Sequence, residues 1–402
     1  MNHKHLALPI LLVVACQLLP SFEAGLELGA PGTLSVDEIR ASLKEADAHK
    51  VFVPVGPVGM PADLSDYIPA DNQMTKAKVE LGRQLYFDPR LSGDGTIACA
   101  SCHHPDMGWT DNAAFSTGIH GHITGVGAPT VMNRILGSTQ FWDGRAGTLE
   151  LQAEGPVAAP GEMGFTWDAA EELCREIEGY ELQFQAVFGA SATKLTITQA
   201  MATFERTVFA GGSPYDHFER ATPFYSLDME EGLDMEEEAD AELIARYEEA
   251  MKGEDDHPMT EASKRGRELF FGKASCSACH VGPDLSDEQF HNIGIGQQGE
   301  EPFLGRFAVT GDEADRGATK TPGLHNIADS APYMHDGSEA TLVEVILHYN
   351  RGGMNEDGTT SSHLSDKIFK LNLTGEEIYD LAEFLEQGLS GTVTSVEIPR
   401  LP

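Results

Sequence analysis

The chain has 402 residues and sets 64 Asp+Glu against 27 Lys+Arg, a formal charge of −37. A hydrophobic content of 41% with 23% charged residues is that of a globular protein with ample core, which argues against wholesale disorder and a fibrous fold. A carboxylate surplus with no Lys/Arg cluster argues against nucleic acid as a partner, and six cysteines are too few for a disulfide scaffold of this size.

Residues 1–24 begin with Lys and His, continue through an apolar stretch from Leu6 to Leu19 and end in small and polar residues, the outline of a secretory signal. Val13-Val14-Ala15-Cys16 also resembles a bacterial lipoprotein cleavage box, whose use would leave Cys16 lipidated and the protein anchored. No later run reaches the roughly 18–20 apolar residues of a membrane span. The mature protein is expected in the periplasm, soluble or lipid-tethered, with 25–69 as an N-terminal extension.

The sequence then repeats itself. Gly82-Arg83-Gln84-Leu85-Tyr86-Phe87 leads into Cys99-Ala100-Ser101-Cys102-His103, and Gly266-Arg267-Glu268-Leu269-Phe270-Phe271 leads into Cys276-Ser277-Ala278-Cys279-His280. Two units of one type follow, over 70–215 and 260–392, with a tail at 393–402. The acidic insertion 216–259 separates them. Asp228 to Asp256 alone holds fourteen acidic and two basic residues, a net of −12, and is expected to be a solvated helix or linker. The remaining negative charge is spread along the chain and suits electrostatic steering of a cationic partner.

The expected fold is mainly α. Ile197, Met201, Phe204 and Val208 share one helical face over 197–209. Thr374 opens a Thr-x-x-Glu capping box, and Ile378, Leu381, Ala382 and Leu385 form an apolar stripe over 374–387. Glycines and prolines interrupt 88–130 and 281–333, which predicts long loops, and loops of that length usually serve a site.

C-x-x-C-H is the attachment signature of c-type haem. Two thiols on one turn bond the two vinyl groups of a porphyrin, and the adjoining His lies beneath the ring as iron ligand. Cys99, Cys102, Cys276 and Cys279 are the attachment residues on this reading, and His103 and His280 the proximal ligands. The competing reading is one four-cysteine zinc site with both His incidental. The remaining Cys174 reads as a buried thiol.

What occupies the other face of each iron decides the function. Leu342, Val345, Ile346 and Tyr349 fall at i, i+3, i+4 and i+7, so Tyr349 lies on the buried stripe of a helix. His348 is rotated about 100° from that stripe, toward Glu344 and Thr341. Tyr349 is therefore the better-aimed ligand, with His348 and Met354 as competitors and core packing as the alternative role. In the first unit, His120 and His122 are candidate distal ligands in a glycine-rich loop. Trp142 and Glu162 also stand out, although a lone Trp usually packs a core and a lone Glu is usually solvated.

The arrangement resembles the bacterial di-haem cytochrome c peroxidase family, which includes MauG-like enzymes. The motifs are C-A-S-C-H (99–103), A-P-T-V-M-N (128–133), Q-F-W-D-G-R-A (140–146), L-Q-A-E-G-P-V (151–157), E-M-G (162–164), F-E-R-T (204–207), C-S-A-C-H (276–280), A-P-Y-M-H-D-G (331–337) and H-Y-N-R-G-G (348–353). The resemblance implies two tandem c-type cytochrome domains with long haem-enclosing loops, and two covalently bound haem c groups. It makes the first the peroxide site, with Glu162 as distal acid/base, Gln152 as its pocket neighbour and Trp142 between the haems.

Tyr349 falls where classical members place Met and MauG-like members place Tyr. The family's calcium site has lost a side chain here, since Gly127 stands where Asn is usual. Ser330 and Pro332 are left as carbonyl ligands for an ion that needs about six to eight oxygens. The implied activity is reduction of hydrogen peroxide with electrons from a small cytochrome c or cupredoxin. The alternatives are MauG-like oxidation of Trp or Tyr on a partner protein and a non-catalytic di-haem carrier, and the resemblance leaves room for a homodimer.

Overall fold

The computed structural model describes residues 28–226, 238–296, 302–355 and 358–402. The expected signal segment, Cys16 and the start of the acidic stretch lie outside them. Among the described residues no helix is long and apolar enough to cross a membrane.

Helices dominate. The N-terminal half carries α1 (Val36–Ser42), α2 (Lys76–Tyr86), the single turn α3 (Cys99–Cys102), α4 (Leu149–Ala158), α5 (Trp167–Glu176), α6 (Glu178–Phe188) and α7 (Lys194–Glu205). Then come α8 (Pro214–Ala221), α9 (Glu238–Asp256), α10 (Glu261–Phe271), the single turn α11 (Phe307–Thr310), α12 (Leu342–Asn350) and α13 (Gly375–Glu383). Strands are two-residue pieces. β1 (Ala210–Gly211) pairs antiparallel with β4 (Thr392–Val393), and β2 (Phe290–His291) with β3 (Thr319–Lys320). The stretches 88–130 and 281–333 are long loops broken by single helical turns and short strands.

The repeated hexads have a packing reason. A Cβ on Gly82 would collide with the Ala200 carbonyl of α7, and one on Gly266 with the Asp380 carbonyl of α13. Each glycine thus lets two helices cross at backbone contact, α2 on α7 and α10 on α13. The aromatic ends of the hexads fill the joints beside them. Tyr86, Phe87 and Phe270 are buried, whereas Phe271 is 39% exposed and stacks on Tyr215. Arg265 fixes the second crossing by two hydrogen bonds to the buried Asp380 carboxylate, at 2.7 and 2.6 Å.

The capping box at Thr374 forms with Glu377, and α13 passes at Glu383 into one wider turn, Phe384–Gly388, which carries Phe384 and Leu385 into the core. Helix α7 ends at Glu205, short of the expected 209. Val208 is buried all the same, because Asn133 captures the backbone beyond the helix: its N–H donates to Val208 O (2.9 Å) and its side-chain amide to Ala210 O (3.0 Å). Cys174 is fully buried, as expected.

The described part of the acidic insertion is a docked helix. Ala250 of α9 is buried, Glu249 pairs with Arg220 of α8 at 2.8 Å, and the rings of His217 and His257 stack at 4.2 Å. The segment around residues 34–38 and the C-terminal tail clasp each other over the first repeat. Leu34 N–H donates to Leu401 O (2.9 Å), Arg400 pairs with Glu38 (2.7 Å), and Arg90 donates to Pro402 O (3.0 Å).

Gly266→Ala is expected to destabilise the protein by about 1–3 kcal/mol, because a methyl group at a backbone crossing forces α10 off α13. Chemical denaturation checks this, and an unchanged midpoint would mean the crossing is not tight.

Candidate active site

Both C-x-x-C-H motifs open onto one continuous cavity. Cys99–Cys102 form the single turn α3, closed by Ser101 accepting from Ala98 N–H at 2.9 Å. Cys276–Ala278 form a tighter helical turn. In each motif the His N–H donates back to the carbonyl of the first Cys, at 3.0 Å for His103 and 2.9 Å for His280. Each imidazole is thereby held directly after its thiol pair.

His280 Nδ1 lies 2.8 Å from the Leu285 carbonyl. A carbonyl only accepts, so Nδ1 carries the proton and Nε2 keeps its lone pair for a metal. His103 is anchored through its backbone, with Tyr86 Oη donating to its carbonyl at 3.0 Å. Burial pushes both imidazoles below the usual histidine range and favours the neutral form that ligates metals. Burial likewise pushes the Cys102 and Cys276 thiols up to about 12.

The residues fit a haem at each end: two thiols on one turn, a neutral imidazole after them, and apolar walls that include Met163, Ile346 and Leu385. The four-cysteine zinc reading does not fit. Among the described residues, the one group of three or more Cys, His, Asp or Glu side chains near enough to share an ion is Cys279, Asp287 and His291.

Above the first motif, α4 brings Gln152 to the cavity and the loop after it brings Glu162. That loop is fixed by Ile119 N–H donating to Glu162 O at 2.8 Å, and Gly118 permits the approach because a Cβ there would collide with the Gly161 carbonyl. Burial pushes the Glu162 carboxyl above the usual range, while Arg145 opposes the shift. The same backbone contact leaves both histidines outside. The His120 side chain is 76% exposed beside Asp94, His122 is exposed over Gly161, and neither lines the cavity.

Trp142 lines the cavity and is held from both repeats. Its indole donates to Gly127 O at 2.9 Å, and its own carbonyl accepts from Lys320 N–H of β3 at 2.8 Å. On α12, Tyr349 faces the cavity, and burial pushes its phenol far up. His348 is buried and spends a ring nitrogen on the Ile293 carbonyl at 2.8 Å, and neither it nor Met354 lines the cavity. Ser330 and Pro332 do line it. The Ser330 hydroxyl donates to Ile327 O at 3.1 Å.

Several cavity residues escaped the sequence reading. Arg134 makes two hydrogen bonds to Glu288, at 2.9 and 3.1 Å. Burial lowers Lys320 to about 7 and raises Asp284 to about 6 and Glu205 to about 8. Glu205 lay in the F-E-R-T motif with no role attached. The signal available for it was a charge inside an otherwise apolar helical stripe.

Replacing Cys276 and Cys279 together by Ser is expected to halve the haem bound per chain, read by alkaline pyridine absorption. Retention of the full haem content would contradict attachment at that turn.

A profile described as di-haem cytochrome c peroxidase matches residues 76–222. The chain is 34% identical over 336 residues to the methylamine utilization protein MauG of Methylorubrum extorquens, covering 83% of this chain and 84% of that one. It is 35% identical over 301 residues to the cytochrome c551 peroxidase of Nitrosomonas europaea, covering 74% and 80%. The crystal structure of a MauG-like protein associated with microbial copper homeostasis superposes with a TM-score of 0.67 at 31% identity, covering 86% of this chain and 95% of that one. With relatives of this extent on both sides of the peroxidase and MauG names, the chain belongs to the di-haem cytochrome c peroxidase family, oxidoreductases acting on hydrogen peroxide with two covalently bound haem c groups.

Proposed function

We propose that this protein reduces hydrogen peroxide to water at the first repeat (70–215), with electrons passed through the second (260–392) from a small redox protein. The two repeats act as tandem c-type cytochrome units, and the exported chain works in the periplasm. The observation that carries the reading is Glu162, a half-buried carboxyl in the cavity that also holds both C-x-x-C-H motifs and Trp142.

When bound, the haem at Cys99 and Cys102 supplies the iron at which peroxide is reduced. Reduction to two waters consumes two electrons and two protons. Glu162 is suited to the proton work, because burial raises its carboxyl above the usual carboxylate range and so strengthens it as a base. It takes a proton from the incoming peroxide oxygen and returns it to the departing one, while the Gln152 amide orients the same oxygens. Trp142 offers an aromatic step for electrons between the repeats. A surface with formal charge −37 favours a basic donor, a cytochrome c or a cupredoxin.

Tyr349 favours a second reading. A phenolate ligand stabilises oxidised iron, whereas Met raises the potential. Burial holds the free phenol protonated, so ligation draws on the metal's own charge to displace the proton. A second haem tuned this way suits MauG-like chemistry, in which the electrons come from Trp or Tyr of a partner protein. Steady-state turnover with reduced cytochrome c separates the two: rapid peroxide consumption supports the first reading, and slow turnover with a persistent oxidised state supports the second.

Glu162→Gln is expected to lower peroxide turnover by about 100- to 10,000-fold while leaving the haem absorption spectra intact; unchanged turnover removes Glu162 from the mechanism. Tyr349→Met is expected to raise the reduction potential of the second-repeat haem, and an unaltered potential would show that Tyr349 is not its ligand.

A further inference from the structure

We propose that Glu205 is a second proton-carrying carboxyl of the first-repeat site, binding one proton as one electron enters that site and releasing it as the electron leaves. The proposal rests on the haem attached at Cys99 and Cys102, and is independent of whether peroxide is the substrate.

The observation is a buried acid that forms no ion pair, although Arg206 and Arg134 lie near enough to oppose the effect of burial. Glu205 ends α7 on the cavity wall, is 5% exposed, and its Oε2 has no hydrogen-bond partner. Both cations nearby are committed elsewhere. Arg206 meets Glu150 through Nη1 to Oε1 at 2.8 Å and Nη2 to Oε2 at 3.0 Å. Arg134 meets Glu288 through two bonds and Gln140 through Nε at 3.0 Å.

The other ionisable groups facing it are Glu150 on α4, which adds like charge, the buried Tyr86 phenol on α2, and Cys99 on α3, whose sulfur is taken by the haem. An ionised carboxylate in this wall would stand desolvated beside two neutralised arginines, an expensive state. Burial accordingly raises Glu205 to about 8, where a carboxyl changes charge near physiological pH.

An added electron makes the site more negative and raises the proton affinity of a neighbouring carboxyl. Above about pH 8, where the carboxyl is ionised before the electron arrives, one electron and one proton enter together and the net charge of the buried site is unchanged. Full coupling makes the reduction equilibrium constant fall tenfold per pH unit, 59 mV for one electron.

The test is a spectroelectrochemical titration of the first-repeat haem in the holoprotein between about pH 6 and pH 9. The potential of the unmutated protein is expected to fall as pH rises. Glu205→Gln is expected to abolish most of that slope, and Glu162→Gln to keep it. A flat potential in the unmutated protein, or a full slope in Glu205→Gln, overturns the proposal. Should Glu205→Gln fail to hold its haem, the other two proteins decide, since a slope lost in Glu162→Gln assigns the proton to the other carboxyl. Absence of peroxide turnover with the slope intact would sink the peroxidase reading and leave Glu205 standing.

Discussion

A buried polar seam between the two repeats sets where everything else stands. Asn133 donates to Ala210 O and to Asp284 Oδ1 and accepts from Ala210 N–H, at 2.9–3.0 Å. Next to it Arg134 grips Glu288, and Lys320 donates from its ammonium to Thr139 O (2.7 Å) and from its backbone to Trp142 O. Each bond contributes about 1 kcal/mol net, yet removing one partner of a buried charged pair costs about 3–5 kcal/mol. The seam therefore favours one relative placement of the two attachment turns, and Trp142 is fixed within it.

The cavity so formed is a place where charge is expensive. Burial moves carboxyls up and imidazoles and amines down, toward their neutral forms. Neutral imidazoles suit iron ligation, and neutral acids can hand over protons without leaving an unpaired charge in the wall. The molecule's large negative charge is carried elsewhere, much of it by an insertion whose described part docks as α9 away from the cavity. The groups that carry most of the charge are thus distinct from those that line the cavity.

The features legible in the sequence are those whose chemistry demands local spacing. Two thiols and a His on one turn and a Thr-x-x-Glu cap at 374–377 each lie within a few residues, whereas the glycines of the repeated hexads meet carbonyls more than a hundred residues away, Gly82 at Ala200 and Gly266 at Asp380. Tyr349 was legible because helical periodicity aims it. The outward direction of His120 and His122 is not legible, because spacing does not say which way a loop side chain turns. The contact of Gly118 with the Gly161 backbone turns them outward. His348 was seen to be off the apolar stripe, but its partner, the Ile293 carbonyl, is 55 residues away. Arg134 and Glu288 lie 154 residues apart, so the charge of Glu205 inside an apolar stripe is visible locally but the engagement of its neighbouring cation is not.

The most direct test of the proposed division of labour, peroxide at the first repeat and electron transfer through a second haem that Tyr349 would ligate, is a low-temperature paramagnetic resonance spectrum of the oxidised holoprotein. The expected spectrum combines a high-spin ferric signal from the first-repeat haem with a low-spin signal from a second haem ligated by His280 and Tyr349. Two low-spin, six-coordinate irons in every redox state would contradict it and make the protein an electron carrier.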